Sequence, residues 1–169
     1  EYHEGNHELF IAKELFQGKV IVAFADTLFK ADFKLDTSRD GTIWVQKVEN
    51  PSQFGVVKLN ANGEIIELVE KPTTFVSDLA IIGIYFFKKG EMLRDEMQYL
   101  IENNIQEKGE FQLTTALENM KKKGALFIPG QVKEWLDCAN KDAVIQTNQR
   151  YLEFVKDQSL ISPKARLIY

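Results

Sequence analysis

The stretch KVIVAFADTLFKADF, residues 19–33, decides how this chain is read. Val20, Ile21, Val22 and Phe24 form a short continuous apolar run, the pattern of a strand covered on both faces. The run then meets a lone carboxylate, Asp26. In open α/β sheets ligands bind outside the carboxyl ends of the strands. An acid delivered at that point is therefore a candidate site residue. Upstream, residues 6–16 are expected to be helical, with Asn6 as N-cap and Gly18 just past the end. Downstream, residues 43–48, 55–59, 64–69 and 79–87 read as strands, and Asn62-Gly63 is a hairpin turn. Residues 91–104 and 112–122 read as helices. Two short strands over 126–128 and 132–136 precede a helix over 140–156 that is capped by Asn140. This order predicts an α/β fold, a mixed sheet flanked by helices.

The totals set limits. A chain of 169 residues is one domain in size and long enough to bury a sizeable core. Its net charge of −4 lacks the basic balance of a nucleic-acid binder. No apolar run approaches the ~18 residues of a membrane span, and no signal peptide opens the chain. The single cysteine, Cys138, forms no internal disulfide. A cytoplasmic setting, with neither nucleic acid nor membrane as partner, is expected.

A second acid, Asp137, ends the short strand in EWLDCAN, residues 134–140. A shared sheet edge brings it to Asp26. Two close carboxylates repel unless a cation sits between them, and oxygen-only ligands suit Mg2+. The plainer alternative is that Asp26 starts a turn and Asp137 precedes a helix. Glu70 and Lys71 form another pair. On a continuing strand they point to opposite faces, but Pro72 breaks the strand and lets both line one pocket. There a lysine neutralises phosphate and a glutamate accepts hydrogen bonds from hydroxyls. An exposed ion pair at a strand end is the alternative.

The segments VIVAFADTLF, PSQFGVVKL, ELVEKP, SDLAIIGIYFF, GEFQLTTAL and EWLDCANKDAVIQTNQRYLE occur in the order found in sugar-1-phosphate nucleotidyltransferases. From about Gly5 to Glu153 the chain resembles the glucose-1-phosphate thymidylyltransferase and nucleotide-sugar pyrophosphorylase group. The resemblance implies a Rossmann-like nucleotidyltransferase fold. It implies transfer of a nucleotidyl group from a nucleoside triphosphate to a sugar-1-phosphate, with release of pyrophosphate. Asp26 and Asp137 match the Mg2+ ligands. Lys71 matches the lysine on the sugar phosphate, and Glu70 the glutamate on sugar hydroxyls. Gly55 matches the glycine that lets the backbone approach the sugar. Ile81 falls where a pocket-lining aliphatic residue stands. Glu110 and Thr114 fall in the segment that closes the sugar side.

The chain also departs from the family pattern. The family's glycine-rich loop and its lysine have no counterpart in the sequence given. Residues 1–156 are read as the later part of the catalytic domain, without its first βα units. On its own this chain is expected to be inactive and to self-associate as a homo-oligomer. Thr115 and Ala139 stand where an aspartate and a glycine are common. The tail over 157–169 resembles the start of a left-handed β-helix, with Ile161 and Ala165 facing inward. Two other functions compete. One is a non-catalytic regulatory module that binds sugar nucleotide on the same fold. The other is a zinc hydrolase built on His3-Glu4-x-x-His7, a pattern weakened by Gly5 and Asn6 inside the helix it needs.

Overall fold

The computed structural model describes residues 9, 11–31 and 35–156. In chain order the strands and α-helices are β1 (Val20–Ala23), β2 (Thr27–Lys30), β3 (Gly41–Lys47), β4 (Gly55–Leu59), β5 (Ile65–Glu70), β6 (Leu79–Phe87), α1 (Gly90–Glu102), α2 (Leu113–Lys122), β7 (Phe127–Gln131), β8 (Glu134–Asp137) and α3 (Lys141–Val155). The main sheet has the order β5-β4-β6-β3-β7, and β1 also pairs with β6. Only β3 and β7 run parallel; the other pairings in this sheet are antiparallel. The fold is thus α/β with a mixed sheet, as expected.

β3 and β6 are apolar almost throughout because both of their faces are covered. Toward one face, Ile43, Val45, Ile81, Tyr85 and Phe87 join a core with Leu93, Met97 and Leu100 of α1 and Leu113, Leu117 and Met120 of α2. Toward the other, Ile82, Ile84 and Phe86 pack with Trp44, against Val132 and Trp135. The alternation along β6 follows from the two-residue period of a strand. The β4–β5 hairpin closes on Asn60, whose side-chain oxygen accepts the N–H of Asn62 and of Glu64, each at 2.9 Å. Asn140 caps α3 by accepting the N–H of Asp142 and Ala143.

β6 organises everything near the site. β3 runs along one of its edges from Leu79 to Phe87. The other edge is divided: β1 pairs with Ile84–Phe87 and β4 with Ala80. Between them Ile81, Ile82 and Gly83 keep no strand partner on that side, and the sheet forks. β3 meets this segment with a register shift between Ile43 and Val45. Gly83 takes φ +77, a left-handed conformation that glycine adopts without a Cβ clash. Its carbonyl accepts the N–H of Phe24 at 2.9 Å, which turns the chain out of β1.

Two expectations need correction. β1 is not covered on both faces: Val22 is buried, but Ile21 is 60% exposed. Among the described residues β1 lies at an edge and pairs with β6 alone, so only one of its faces meets the core. β2 was not foreseen as a strand. Its four residues pair with β8, far along the chain, in a separate two-stranded ribbon. Most of the helix expected over 6–16 lies outside the described residues. Leu9 and Ile11 are helical, and a 3₁₀ turn follows over Lys13–Leu15. The zinc-type histidine pattern and the 157–169 tail also lie outside them. No helix among the described residues is long and apolar enough to cross a membrane.

Gly83→Ala is expected to destabilise the fold by about 2 kcal/mol. It forces a positive φ on a Cβ-bearing residue, and the new Cβ would sit 3.2 Å from both the Phe24 ring and Thr27 Oγ1. Thermal unfolding should show Tm lowered by about 4–8 °C. An unchanged Tm would mean the fork does not depend on this conformation.

Candidate functional site

The fork in the sheet opens into a cleft of about 320 Å³. Asp26, Gly55, Glu70, Lys71, Ile81, Thr114 and Asp137 all line it. Seven of the eight residues singled out in the sequence therefore converge, from six separate segments of chain.

One wall carries the acids. Asp26 lies in the turn between β1 and β2. β2 pairs with β8 so that Thr27 stands opposite Asp137. The N–H of Cys138 donates to the Asp26 carbonyl at 2.8 Å. The two aspartates are thereby held at the same end of one ribbon by backbone pairing. Three further bonds fix that end. Thr27 Oγ1 donates to the Ile82 carbonyl at 3.0 Å, hooking the ribbon to the cleft floor. Asp137 Oδ1 accepts the N–H of Ala139 at 3.0 Å. Thr147 of α3 donates its hydroxyl to the Asp137 carbonyl at 2.6 Å.

The opposite wall carries Glu70 and Lys71. Gly55 faces Glu70 across the β4–β5 ladder. A Cβ on Gly55 would lie 2.9 Å from Glu70 Oε2, 3.1 Å from Thr114 Cγ2 and 3.3 Å from Ile81 Cδ1. A side chain there would crowd the cleft. Thr114 Oγ1 donates to Glu70 Oε2 at 3.1 Å. Burial pushes the Glu70 carboxyl above its ordinary value, opposed by the Thr114 bond and by the charge of Lys71. Tyr85 lies beneath, 4% exposed. Burial, with the charges of Glu70 and Asp26 adding to it, pushes its hydroxyl far above the usual range, so it stays neutral. Lys71 follows the last residue of β5 with φ +43. That turn brings two adjacent residues into the same cleft, which a continuing strand would prevent.

Glu110 is displaced from its expected place. It does not line the cleft. It ends a tight turn, exchanging backbone hydrogen bonds with Glu107, and its carboxylate accepts from Gln112 Nε2 at 2.8 Å. Gln112, which the sequence reading passed over, lines the cleft instead. Phe54, Trp135 and Tyr85 were also missed. Phe54 and Trp135 meet edge to face at 5.3 Å between centroids. The signal for both was their place beside Gly55 and Asp137 in the motifs. The expected departures also find partners: Thr115 Oγ1 donates to Glu107 Oε2 at 3.0 Å, and Ala139 lines the cleft beside Asp137.

The raised Glu70 value has a consequence for stability. The folded state holds this proton more tightly than the unfolded chain does. Its burial penalty is absent well below the ordinary value of 4.5 and grows as pH rises from there through the folded value. Glu70→Gln keeps an acceptor for Thr114 and has no charge to bury. The Tm of the variant minus that of the unsubstituted protein should increase as pH is raised from 4.5 toward neutrality. A difference that is flat or falls with pH in thermal melts would contradict the assignment.

A sequence model of the nucleotidyl transferase family matches residues 4–153. Over 143 residues the chain is 35% identical to the bifunctional protein GlmU of Methanocaldococcus jannaschii, covering 84% of this chain and 34% of that protein. It is 35% identical over 124 residues to a glucose-1-phosphate thymidylyltransferase of Streptomyces antibioticus, covering 69% and 33%. The chain thus spans about a third of the length of these curated relatives. A UDP-glucose pyrophosphorylase solved with UDP-glucose superimposes with a TM-score of 0.71 at 20% identity, over 90% of this chain and 64% of that one. A putative glucose-1-phosphate thymidylyltransferase of Bacillus anthracis gives 0.70 at 19% identity, over 85% and 59%. The fold is that of these proteins, and the chain belongs to the nucleotidyl transferase family.

Proposed function

We propose that the protein of which this chain is part makes a nucleotide sugar from a nucleoside triphosphate and a sugar-1-phosphate, releasing pyrophosphate. The observation that carries the reading is that Asp26 and Asp137, held at one end of the β2–β8 ribbon, line the same cleft as Glu70 and Lys71. A cleft lined by two aspartates, a lysine and a glutamate suits a substrate that carries both phosphate and hydroxyls.

The donor set fits Mg2+. Two carboxylates offer only oxygen, and one Asp137 oxygen is already engaged by Ala139. Such a pair leaves room for phosphate oxygens, as Mg2+ prefers. When bound, the ion would offset negative charge at the α-phosphate.

The chain's own residues do the rest. Lys71 neutralises the sugar phosphate and aims its oxygen. Glu70 accepts hydrogen bonds from hydroxyls of the sugar ring, and Gly55 lets the ring sit against the backbone. The phosphate oxygen is anionic at neutral pH, so it attacks the α-phosphorus without a general base. The new P–O bond forms as the bond to the leaving pyrophosphate breaks in line, and the catalytic work is positioning and charge neutralisation. Self-association of the chain as given is part of this reading, supported by the exposed Ile21 on edge strand β1, and so is a cytoplasmic setting, with which the lone thiol of Cys138 accords.

In the full-length protein, Asp26→Asn and Asp137→Asn should each lower kcat at least ~10²-fold with Tm little changed. A pyrophosphate-release assay reads this, and near-normal turnover in either variant sinks the acid pair. Lys71→Ala should weaken sugar-1-phosphate binding by ~2–4 kcal/mol and leave triphosphate binding nearly intact. Equal losses for both ligands in calorimetry would remove Lys71 from the sugar side.

A further inference from the structure

Lys71 is held in a conformation it would not choose. Its φ is +43, and Pro72 follows it. A side chain with a Cβ disfavours the left-handed region, and a following proline drives a residue toward extended backbone. Left to relax, Lys71 would continue β5 and turn its side chain away from the face that Glu70 occupies. On the amino side, the Lys71 N–H donates to the Phe54 carbonyl at 3.0 Å, a rung of the β4–β5 ladder that a continuing strand would also make. The bond that opposes relaxation is on the carboxyl side, where the Lys71 carbonyl accepts from Lys108 Nζ at 2.9 Å, across 37 positions of chain.

Lys108 is placed to do this. It and Gly109 are consecutive left-handed residues, with φ +55 and +85. They form the centre of a tight turn closed by Glu107 N–H to Glu110 O at 2.8 Å and Glu110 N–H to Glu107 O at 3.1 Å. This is the pattern of a type I′ turn. The turn is braced on the start of α2, through Thr115 to Glu107 and Gln112 to Glu110. The same helix start holds Glu70 through Thr114. A lysine launched from a fixed tip has less freedom to lose than one on a loose loop.

We propose that Lys108 is a positioning residue whose ammonium, bonded to the Lys71 carbonyl, keeps Lys71 left-handed and its side chain in the cleft beside Glu70. The functional consequence rests on the reading of Lys71 as the sugar-phosphate group; the conformational part stands without it.

The test is made on the full-length protein with lysine labelled in ¹³C and ¹⁵N. The Lys71 signals, assigned by their loss in Lys71→Arg, report the sign of φ through their Cα and Cβ shifts. In Lys108→Met they should move to the extended range, and Lys108→Arg should keep them in place. Lys108→Ala repeats the test without the long apolar stem. Affinity for glucose 1-phosphate should fall about five- to ten-fold in Lys108→Met and recover in Lys108→Arg. Lys71 shifts unchanged in both Lys108→Met and Lys108→Ala overturn the proposal. So does Lys108→Arg behaving like Lys108→Met. Shifts that move while glucose 1-phosphate affinity holds support the positioning role and instead remove Lys71 from the phosphate.

Discussion

The divided edge of β6 is the constraint on which the site depends. A strand interior normally satisfies its N–H and C=O groups on both sides. Here β1 and β4 share one edge and leave Ile81–Gly83 between them. The carbonyls in that gap are not wasted. Ile82 accepts from the Thr27 hydroxyl and Gly83 from the Phe24 N–H. The gap thus fastens the β2–β8 ribbon to the sheet and floors the cleft at once. Filling it with an ordinary ladder would close the cleft and release the ribbon together.

The cleft gathers groups that resist burial. Glu70 holds its proton more tightly than usual, and the buried Tyr85 hydroxyl lies under two carboxylates. Lys71 sits in an unfavourable backbone state. Each costs stability, and the large apolar core on the α1–α2 side offsets them. That core reaches to the cleft itself, since Leu113 lines it and Thr114 follows directly on α2. A helix seated by Leu113, Ala116 and Leu117 gives Thr114 a fixed direction in which to bond Glu70.

Much of this was legible in the sequence where period or turn chemistry is strong. Residues 79–87 are apolar from end to end and form β6 as expected. Asn62-Gly63 marked its hairpin, and Asn140 marked the start of α3. β2 escaped because TLFK has no clear period and its partner lies over a hundred residues away, so only tertiary pairing makes it a strand. The acid pair was visible as two strand-end aspartates, but not the ribbon that joins them. Glu110 belongs to the segment expected near the cleft but is not on its lining, because a motif position does not say which way a side chain leaves a tight turn. Gln112 and Lys108 escaped for a related reason. Their importance lies in bonds to Glu110 and to the Lys71 backbone, and neither bond leaves a trace in local pattern.

The two walls are built by different means, and this bears on how such a site can vary. Asp26 and Asp137 are set by backbone pairing: the register of β2 on β8, and the Cys138 N–H on the Asp26 carbonyl. Side chains add to this, Thr27 on the Ile82 carbonyl and Thr147 on the Asp137 carbonyl, but it is a one-residue slip in register that would part the acids. Glu70 and Lys71 are placed on the β4–β5 ladder, by Gly55 opposite Glu70 and the Lys71 N–H on the Phe54 carbonyl, and are then held by side chains, Thr114 on Glu70 and Lys108 on the Lys71 carbonyl. Gln112, Thr115 and Glu110 brace the turn behind them. Such contacts can be exchanged one at a time without moving a strand. The acid wall is therefore the fixed element of the cleft and the Glu70–Lys71 wall the adaptable one. Substitutions behind Glu70 and Lys71 can therefore reshape that side of the cleft while the register of β2 on β8 keeps Asp26 and Asp137 at one ribbon end.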